Sequence, residues 1–514
     1  MSRQTLRDLA VSVSLANLCY VGVWDEVLTL DRNSYLRDIS AASLVATMLN
    51  VLLLGLAFAG AMTLVRRSGS ARALWAAKAG FLLVALLPLM QIFPDLHIIK
   101  VARFVSRALE TPNHQIRGSE LNPLFPLLAM GLWPARSVKV TRAVVAFLLP
   151  LTLVTFGRAG WRLAARDVTA ANADRPLAPP ATRPAHTAPR VIILLFDEMD
   201  FRLTYSARPP AIALPELDRL RTEAFFASQA FPPGRRTEIS VPGLLTGRRV
   251  TADRRRGTDT LLVTFAGESD TVSWAGQPNL FDDARALGYD AGVVGWYHPY
   301  CRVFTRRLRR CFWLPHADAI VRAQGRGVAR QMLHLFRGLS PLADRRRHIE
   351  DYRRHLEAAR AAVLDTSLGL LFVHFPVPHN PPIYDAQDDE LTTHNYHLDG
   401  YYDNLELADL TLGVLRRDLE GAGLWDRTTI VLTADHSRRA GEDDWRVPFM
   451  VKLAGQRAGG MAYRTPFTTI VLHDLTLALL RGEISGGLDA WIDRWRAAHP
   501  QSIDTGSRST LTAR

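Results

Sequence analysis

Asp435 and His436 set an oxygen and a nitrogen donor side by side directly after the apolar run 429–433, which has the length and β-branching of a buried strand. A second such run, 191–196, ends in the carboxylates Asp197 and Glu198. Between the two in the chain, Thr237 follows the turn Pro232-Pro233-Gly234 and opens a stretch that reads as a helix. Taken singly, a carboxylate pair reads as a helix cap or a solvated loop, and a threonine at a helix start as a cap. Taken together, Asp197, Glu198, Thr237, Asp435 and His436 offer one divalent cation, zinc or manganese, several oxygens and one nitrogen. A cation on the Thr237 hydroxyl favours its alkoxide at neutral pH, and a helix N-terminus adds positive field. Phosphate esters repel anionic attackers, so a metal that activates the attacker and neutralises the phosphoryl oxygens makes Thr237 a candidate nucleophile.

For these groups to meet, their strands must share one sheet edge. The runs 191–196, 291–295, 370–374 and 429–433 alternate with helical segments at 215–225, 346–363 and 404–420. That alternation predicts an α/β domain with a mostly parallel central sheet, in which reacting groups collect beyond the carboxyl ends of the strands. Ahead of it, the apolar runs 9–23, 42–65, 74–93, 121–133 and 143–156 predict a multi-span α-helical membrane domain of four or five helices. The run 121–133 holds Asn122, Pro123 and Pro126 and reads as a span or a re-entrant piece. The expected organisation is a membrane domain over 1–166, a Pro/Ala-rich linker over 167–189, a catalytic domain over 190–490 and a polar tail over 491–514.

Arg3 and Arg7 precede the first run as in a signal peptide, but the run continues into Trp24-Asp25-Glu26 with no Ala-x-Ala pattern, so it reads as a retained anchor. With five spans, Arg3, Arg7, Arg66, Arg67, Arg72, Arg136, Lys139 and Arg142 fall in alternate, cytoplasmic loops. The catalytic domain then lies on the extracytoplasmic side of the plasma (inner) membrane. Arg158, Arg162 and Arg166 oppose that orientation, and four spans would reverse it.

The chain has 514 residues and a net charge of +12, from 62 basic and 50 acidic residues. Its only lysines are Lys78, Lys100, Lys139 and Lys452, and no basic stripe is interleaved with aromatics, which argues against a nucleic-acid partner. Three cysteines exclude a disulfide framework. Cys301 and Cys311, ten apart, read as a bridge outside the cytoplasm or as two thiols.

The stretch Pro189-Arg190-Val191-Ile192-Ile193-Leu194-Leu195-Phe196-Asp197-Glu198 resembles the first metal-binding strand of the alkaline phosphatase and sulfatase superfamily, and Leu244-Leu245-Thr246-Gly247 resembles the end of its nucleophile helix. Thr237 stands where arylsulfatases carry the cysteine that becomes formylglycine, and Val241 where their signature has arginine, so sulfate-ester hydrolysis is disfavoured. Threonine before Ser240-Val241-Pro242 is similar to the membrane phosphoethanolamine transferases and, more loosely, the lipoteichoic-acid synthases. That resemblance implies metal binding by the carboxylate, Thr237, Asp435 and His436. It also implies a role for His379, in Phe372-Val373-His374-Phe375-Pro376-Val377-Pro378-His379, in protonating a leaving alkoxide, and for His298 and Arg302 in holding a headgroup. Relatives of this kind place a further histidine soon after the Asp-His pair, whereas here the next is His473; Arg438, Arg439 or Arg446 is the alternative phosphate holder.

The expected function is transfer of a phospholipid headgroup, phosphoethanolamine or phosphoglycerol, through a phospho-threonine to a membrane-associated or cell-envelope acceptor. The alternatives are a sulfatase-like hydrolase or phosphodiesterase, and a non-catalytic membrane-tethered sensor or assembly domain.

Overall fold

A computed structural model describes residues 3–28, 35, 39–92, 132–165, 177–181, 189–315, 327–340, 343–394, 400–438, 444–456, 459–484 and 486–500. The chain divides into two compact units. One comprises Met1–Leu30, Asp38–Ala171 and Ile320–Pro341; the other comprises Asp31–Arg37, Asn172–Ala319 and Leu342–Arg514.

The first unit is helical, with α1 (Arg3–Cys19), α2 (Val21–Leu28), α3 (Ala41–Arg67), α4 (Ala71–Ile92), α5 (Pro134–Phe147) and α6 (Leu149–Ala164). By length and composition, α3 and the continuous pair Pro134–Ala164 suffice to cross a membrane; α1 and α2, bent by 62°, would be a third span if counted as one. Among the described residues, then, two or three helices qualify where four or five were expected. The last helix pair begins at Pro134 rather than near 143, so Arg136, Lys139 and Arg142 lie on α5 and not in a loop. Most of the run 121–133 lies outside the described residues. Ser40 caps α3 reciprocally with Ser43, and buried Asp8 ties α1 to Arg66 of α3 and Arg142 of α5.

The second unit is built on an eight-stranded sheet whose strands are β1 (Val191–Asp197), β2 (Phe225–Ala227), β3 (Ala291–Trp296), β4 (Arg310–Leu314), β5 (Leu370–Pro378), β6 (Thr429–Ala434), β7 (Phe449–Lys452) and β8 (Met461–Tyr463). Their order is β8-β2-β7-β6-β1-β5-β3-β4. Every pairing is parallel except the two made by β7, so the sheet is mixed and mostly parallel, as expected. The central strands are buried along their whole length, which is why they read as continuous apolar runs rather than alternating ones.

Helices cover both faces of the sheet. Val191, Ile193 and Leu195 pack with α8 (Thr237–Thr246), α11 (Leu472–Arg481) and α12 (Leu488–Ala498). Ile192, Leu194 and Phe196 pack with α7 (Pro215–Glu223), α9 (Ala343–Val363) and α10 (Gly400–Gly421). Ile492 and Trp495 of α12 join the core, so the packed unit runs past the expected boundary at 490. The expected linker falls mostly outside the described residues; within it, the Ala178 amide donates to the Leu308 carbonyl and the Ala181 amide to Asp290 Oδ1.

Candidate functional site

Register brings the expected ligands together. Phe196 pairs with Ala434, so Asp197 at the end of β1 and Asp435 just past β6 emerge side by side at the carboxyl edge. Leu195 pairs with His374 on β5, and alternation along β1 puts Leu195 and Asp197 on one face, so His374 points to the same place. Ligand atoms of Asp197, His374 and Asp435 all lie within 4.8 Å of one another, and all three residues are buried. His436 Nε2 lies 3.4 Å from Asp435 Oδ2 and 3.8 Å from Asp197 Oδ1.

Thr237 is the first residue of α8, which packs on that same face. The cap position belongs to Arg236, and the Thr237 hydroxyl points into the cluster instead. Its Oγ1 donates to Asp435 Oδ2 at 2.8 Å and lies 3.4 Å from His436 Nε2. Glu198 follows Asp197 in a left-handed turn, φ 61°, a costly conformation for a residue with a side chain. The turn is held from both sides: the Glu198 amide donates to Asp435 Oδ1, and the Tyr401 hydroxyl donates to the Glu198 carbonyl at 2.8 Å.

The cluster has the donor chemistry of a cation site. Two buried carboxylates this close repel each other unless a positive charge joins them. Burial tends to raise Asp435, but the neighbouring His436 and the hydrogen bonds from the Thr237 hydroxyl and the Glu198 amide hold it below its ordinary value. His374 is pushed down to about 3, chiefly by burial, so its imidazole is neutral. Its Nδ1 lies 3.0 Å from Tyr300 Oη, while Nε2 has no hydrogen-bond partner and stands 3.7 Å from Asp197 Oδ2. His436 donates Nδ1–H to the Ser437 carbonyl, which leaves Nε2 with its lone pair toward the cluster. Asp197, Asp435, His374 and His436 therefore fit a divalent ion.

Beneath the nucleophile, the chain after β3 braces the start of α8. Tyr297, at φ 69°, donates its hydroxyl to the Glu238 carboxylate, which also takes Arg255. Burial pushes Glu238 up, but these two partners outweigh it and bring it to about 2. His298 is fully buried and, mainly for that reason, lowered to about 4. Its Nε2 lies 3.1 Å from the Thr237 carbonyl, which can only accept, so Nε2 carries the proton. The neutral ring then takes the Tyr35 hydroxyl on Nδ1 at 3.1 Å.

The remaining expected residues are placed differently from one another. His379 is half-buried beyond β5, with its ring 5.4 Å from Trp296 and Nδ1–H donated to the Asn380 carbonyl. Burial lowers it, and Glu198, His436 and Asp435 are the charged groups it senses. Arg302 is buried, donates to the Thr258 carbonyl and lies over Trp313. Arg446 is taken up by Asp444 and the Ser228 carbonyl and lies over Phe201. Neither arginine makes a described contact with Thr237, Asp435 or His436. Cys301 and Cys311 form a disulfide that ties the segment after β3 to β4.

Sequence reasoning did not single out His374 or Tyr35. His374 was legible in principle, since it ends the expected strand 370–374 just as Asp197 and Asp435 end theirs. For Tyr35, a lone tyrosine between two apolar runs, the sequence holds no signal.

No family model matches the chain. It is similar to a curated ulvan-active sulfatase of Formosa agariphila (strain DSM 15362 / KCTC 12365 / LMG 23005 / KMM 3901 / M-2Alg 35-1), with 26% identity over 126 residues, 22% of this chain and 24% of that protein. The match thus spans about a quarter of the relative's length. Among solved structures, it is similar to Ps i-CgsB in complex with k-i-k-neocarrahexaose, at 15% identity and TM-score 0.44, covering 60% of this chain and 77% of that one. It is also similar to the PsFucS1 sulfatase from Pseudoalteromonas sp., at 16% identity and TM-score 0.41, covering 58% and 69%. A third is the phosphonate monoester hydrolase SpPMH from Silicibacter pomeroyi, at 15% identity and TM-score 0.39, covering 57% and 73%. The curated match supports the resemblance to the sulfatase and alkaline phosphatase superfamily.

Proposed function

We propose that this chain, similar to the sulfatase and alkaline phosphatase superfamily, is a metal-dependent phosphotransferase that moves a phospholipid headgroup through Thr237 to an envelope acceptor. The observation that carries the reading is the Thr237 hydroxyl at the start of α8, 2.8 Å from Asp435 and 3.4 Å from His436. Asp197, Asp435, His436 and His374 would hold a divalent ion, zinc or manganese, which would supply Lewis acidity toward the phosphoryl oxygens and the Thr237 hydroxyl.

The chain's own groups do the rest. Thr237 Oγ1 gives up its proton along the bond to Asp435 and bonds to phosphorus, the phosphorus–oxygen bond to diacylglycerol breaks, and His379, in its form protonated on Nε2, gives that proton to the departing oxygen and is left neutral. In the second half, neutral His379 takes the proton of the acceptor hydroxyl as that oxygen bonds to phosphorus, the phosphorus–Oγ1 bond breaks, and Asp435 returns its proton to Thr237 Oγ1. The dipole of α8 adds positive field at the reacting phosphoryl group. Tyr297, Arg255 and His298 keep the start of that helix in place.

Extracytoplasmic placement in the plasma membrane is supported by the Cys301–Cys311 bridge, since structural disulfides persist in oxidising compartments. It is supported too by Arg66 and Arg67 at the end of α3, which suit a cytoplasmic loop.

The test is to incubate the purified protein with headgroup-labelled phosphatidylethanolamine or phosphatidylglycerol and a divalent metal. Label on the Thr237 peptide by mass spectrometry, absent in Thr237→Ala, is expected; no label under any divalent metal sinks the reading. The match to a curated sulfatase favours a second reading, in which water takes the group from the enzyme. Steady turnover of a soluble aryl phosphodiester with no acceptor present, and no lipid-derived label, would select that hydrolase.

A further inference from the structure

The helix Val328–Arg337 lies between β4 and α9 in the chain, yet its residues cluster with the helical unit. Its buried face is accounted for. Leu335 joins a core with Leu44, Ala46 and Val51 of α3, Val328 and Met332 pack against that core, and Asn50 Nδ2 donates to the Met332 carbonyl at 2.8 Å. A second face is apolar and open: Ala329, Leu333 and Phe336 follow one another at helical spacing, Leu333 51% and Phe336 54% exposed. A third row, at 330, 334 and 337, reads Arg, His, Arg.

At ten residues the helix is about 15 Å long, half of what a bilayer requires, so it cannot span one. Two exposed apolar side chains are also too little for a stable protein interface. The helix packs on α3, which itself leaves Leu49, Leu52, Leu53 and Leu56 open. An apolar row beside a basic row is the pattern of a helix lying at a membrane surface.

We propose that Val328–Arg337 is an interfacial anchor that beds Leu333 and Phe336 among acyl chains and meets anionic phospholipid headgroups with Arg330 and Arg337. The anchor rests on α3 being a membrane span.

Cys19 is the free cysteine among the described residues, so Cys19→Ser gives a background for single nitroxide labels in the full chain, reconstituted in phosphatidylcholine with or without phosphatidylglycerol. At Leu333→Cys and Phe336→Cys, oxygen should broaden the label more than a water-soluble nickel chelate does, as at the α3 control Leu53→Cys. At Arg330→Cys and the exposed Asp388→Cys the order should reverse. Labels at 333 and 336 that behave like 388 while 53 reports lipid overturn the anchor alone; if 53 also behaves like 388, the span falls with it. Depth at 336 should increase with phosphatidylglycerol, and indifference to it overturns the headgroup contact. None of these readouts depends on turnover, so the anchor and the phosphotransferase reading fail separately.

Discussion

Thr237 reaches the cluster because its hydroxyl is spent on Asp435 rather than on capping its own helix, and the groups that hold its backbone decide where that oxygen sits. Tyr35 is the most distant of these in sequence. The Thr237 carbonyl sets the His298 tautomer, and the Tyr35 hydroxyl, donating to the Nδ1 that this tautomer leaves bare, holds the ring in place. Removing the hydroxyl in Tyr35→Phe leaves a buried acceptor without its donor, a cost of about 1–3 kcal/mol. We expect kcat to fall about tenfold and KM to hold within about twofold, since a misplaced nucleophile loses transition-state contacts rather than binding, and the melting temperature to fall by a few degrees. Nitrogen-15 histidine spectra of the full chain should show the His298 Nε2–H signal weakened in the variant. An unchanged signal together with unchanged kcat would dismiss the positioning role.

At the scale of elements, the site is made by three strand ends and one helix start, and small residues let them approach. Gly295, in β3, faces the Tyr300 ring so closely that an added Cβ would lie 2.2 Å from Tyr300 Cδ2. Tyr300 in turn contacts His374 Nδ1. Gly295→Ala must therefore displace the ring; we expect about 1–3 kcal/mol of destabilisation, as for other overpacked cores. Divalent-metal affinity, read by calorimetry, should fall as well because His374 loses its orienting partner. A variant of native stability and affinity would show that the ring moves at no cost. Gly247 is different: it ends α8 in the left-handed conformation, φ 66°, where a side chain is strained whatever the space.

For the molecule as a whole, buried histidines tie stability to pH. His355, packed against Phe375 and Phe312, is lowered from 6.5 to about 3 by burial. The unfolded chain takes up its proton near 6.5 and the folded chain does not until about 3, so stability is full above that range and declines as pH falls through it. Thermal melts of the full chain should drop progressively between pH 6.5 and 4, and His355→Phe should flatten the slope. A variant with the wild-type slope would place the coupling elsewhere, with His374 and His298 the next to test.

The division of the chain into an apolar helical part and an α/β part, the central strands and helices, and the residues Asp197, Thr237, Asp435 and His436 were all legible in the amino-acid sequence. Hydrophobic periodicity and the chemistry at strand ends are local properties, and local properties survive in a string of letters. The reach of the membrane helices was less legible, because apolar composition does not say where a helix bends, as between α1 and α2, or how far it extends, as at Pro134. Only the tertiary structure decided that His374 joins the two aspartates, that Tyr35 stands behind His298, that Arg446 is committed to Asp444, and that Val328–Arg337 belongs with the helical unit. Each of these depends on strand register or on packing between segments tens to hundreds of residues apart. Such contacts are set by the collective filling of the core, which no short window of sequence contains.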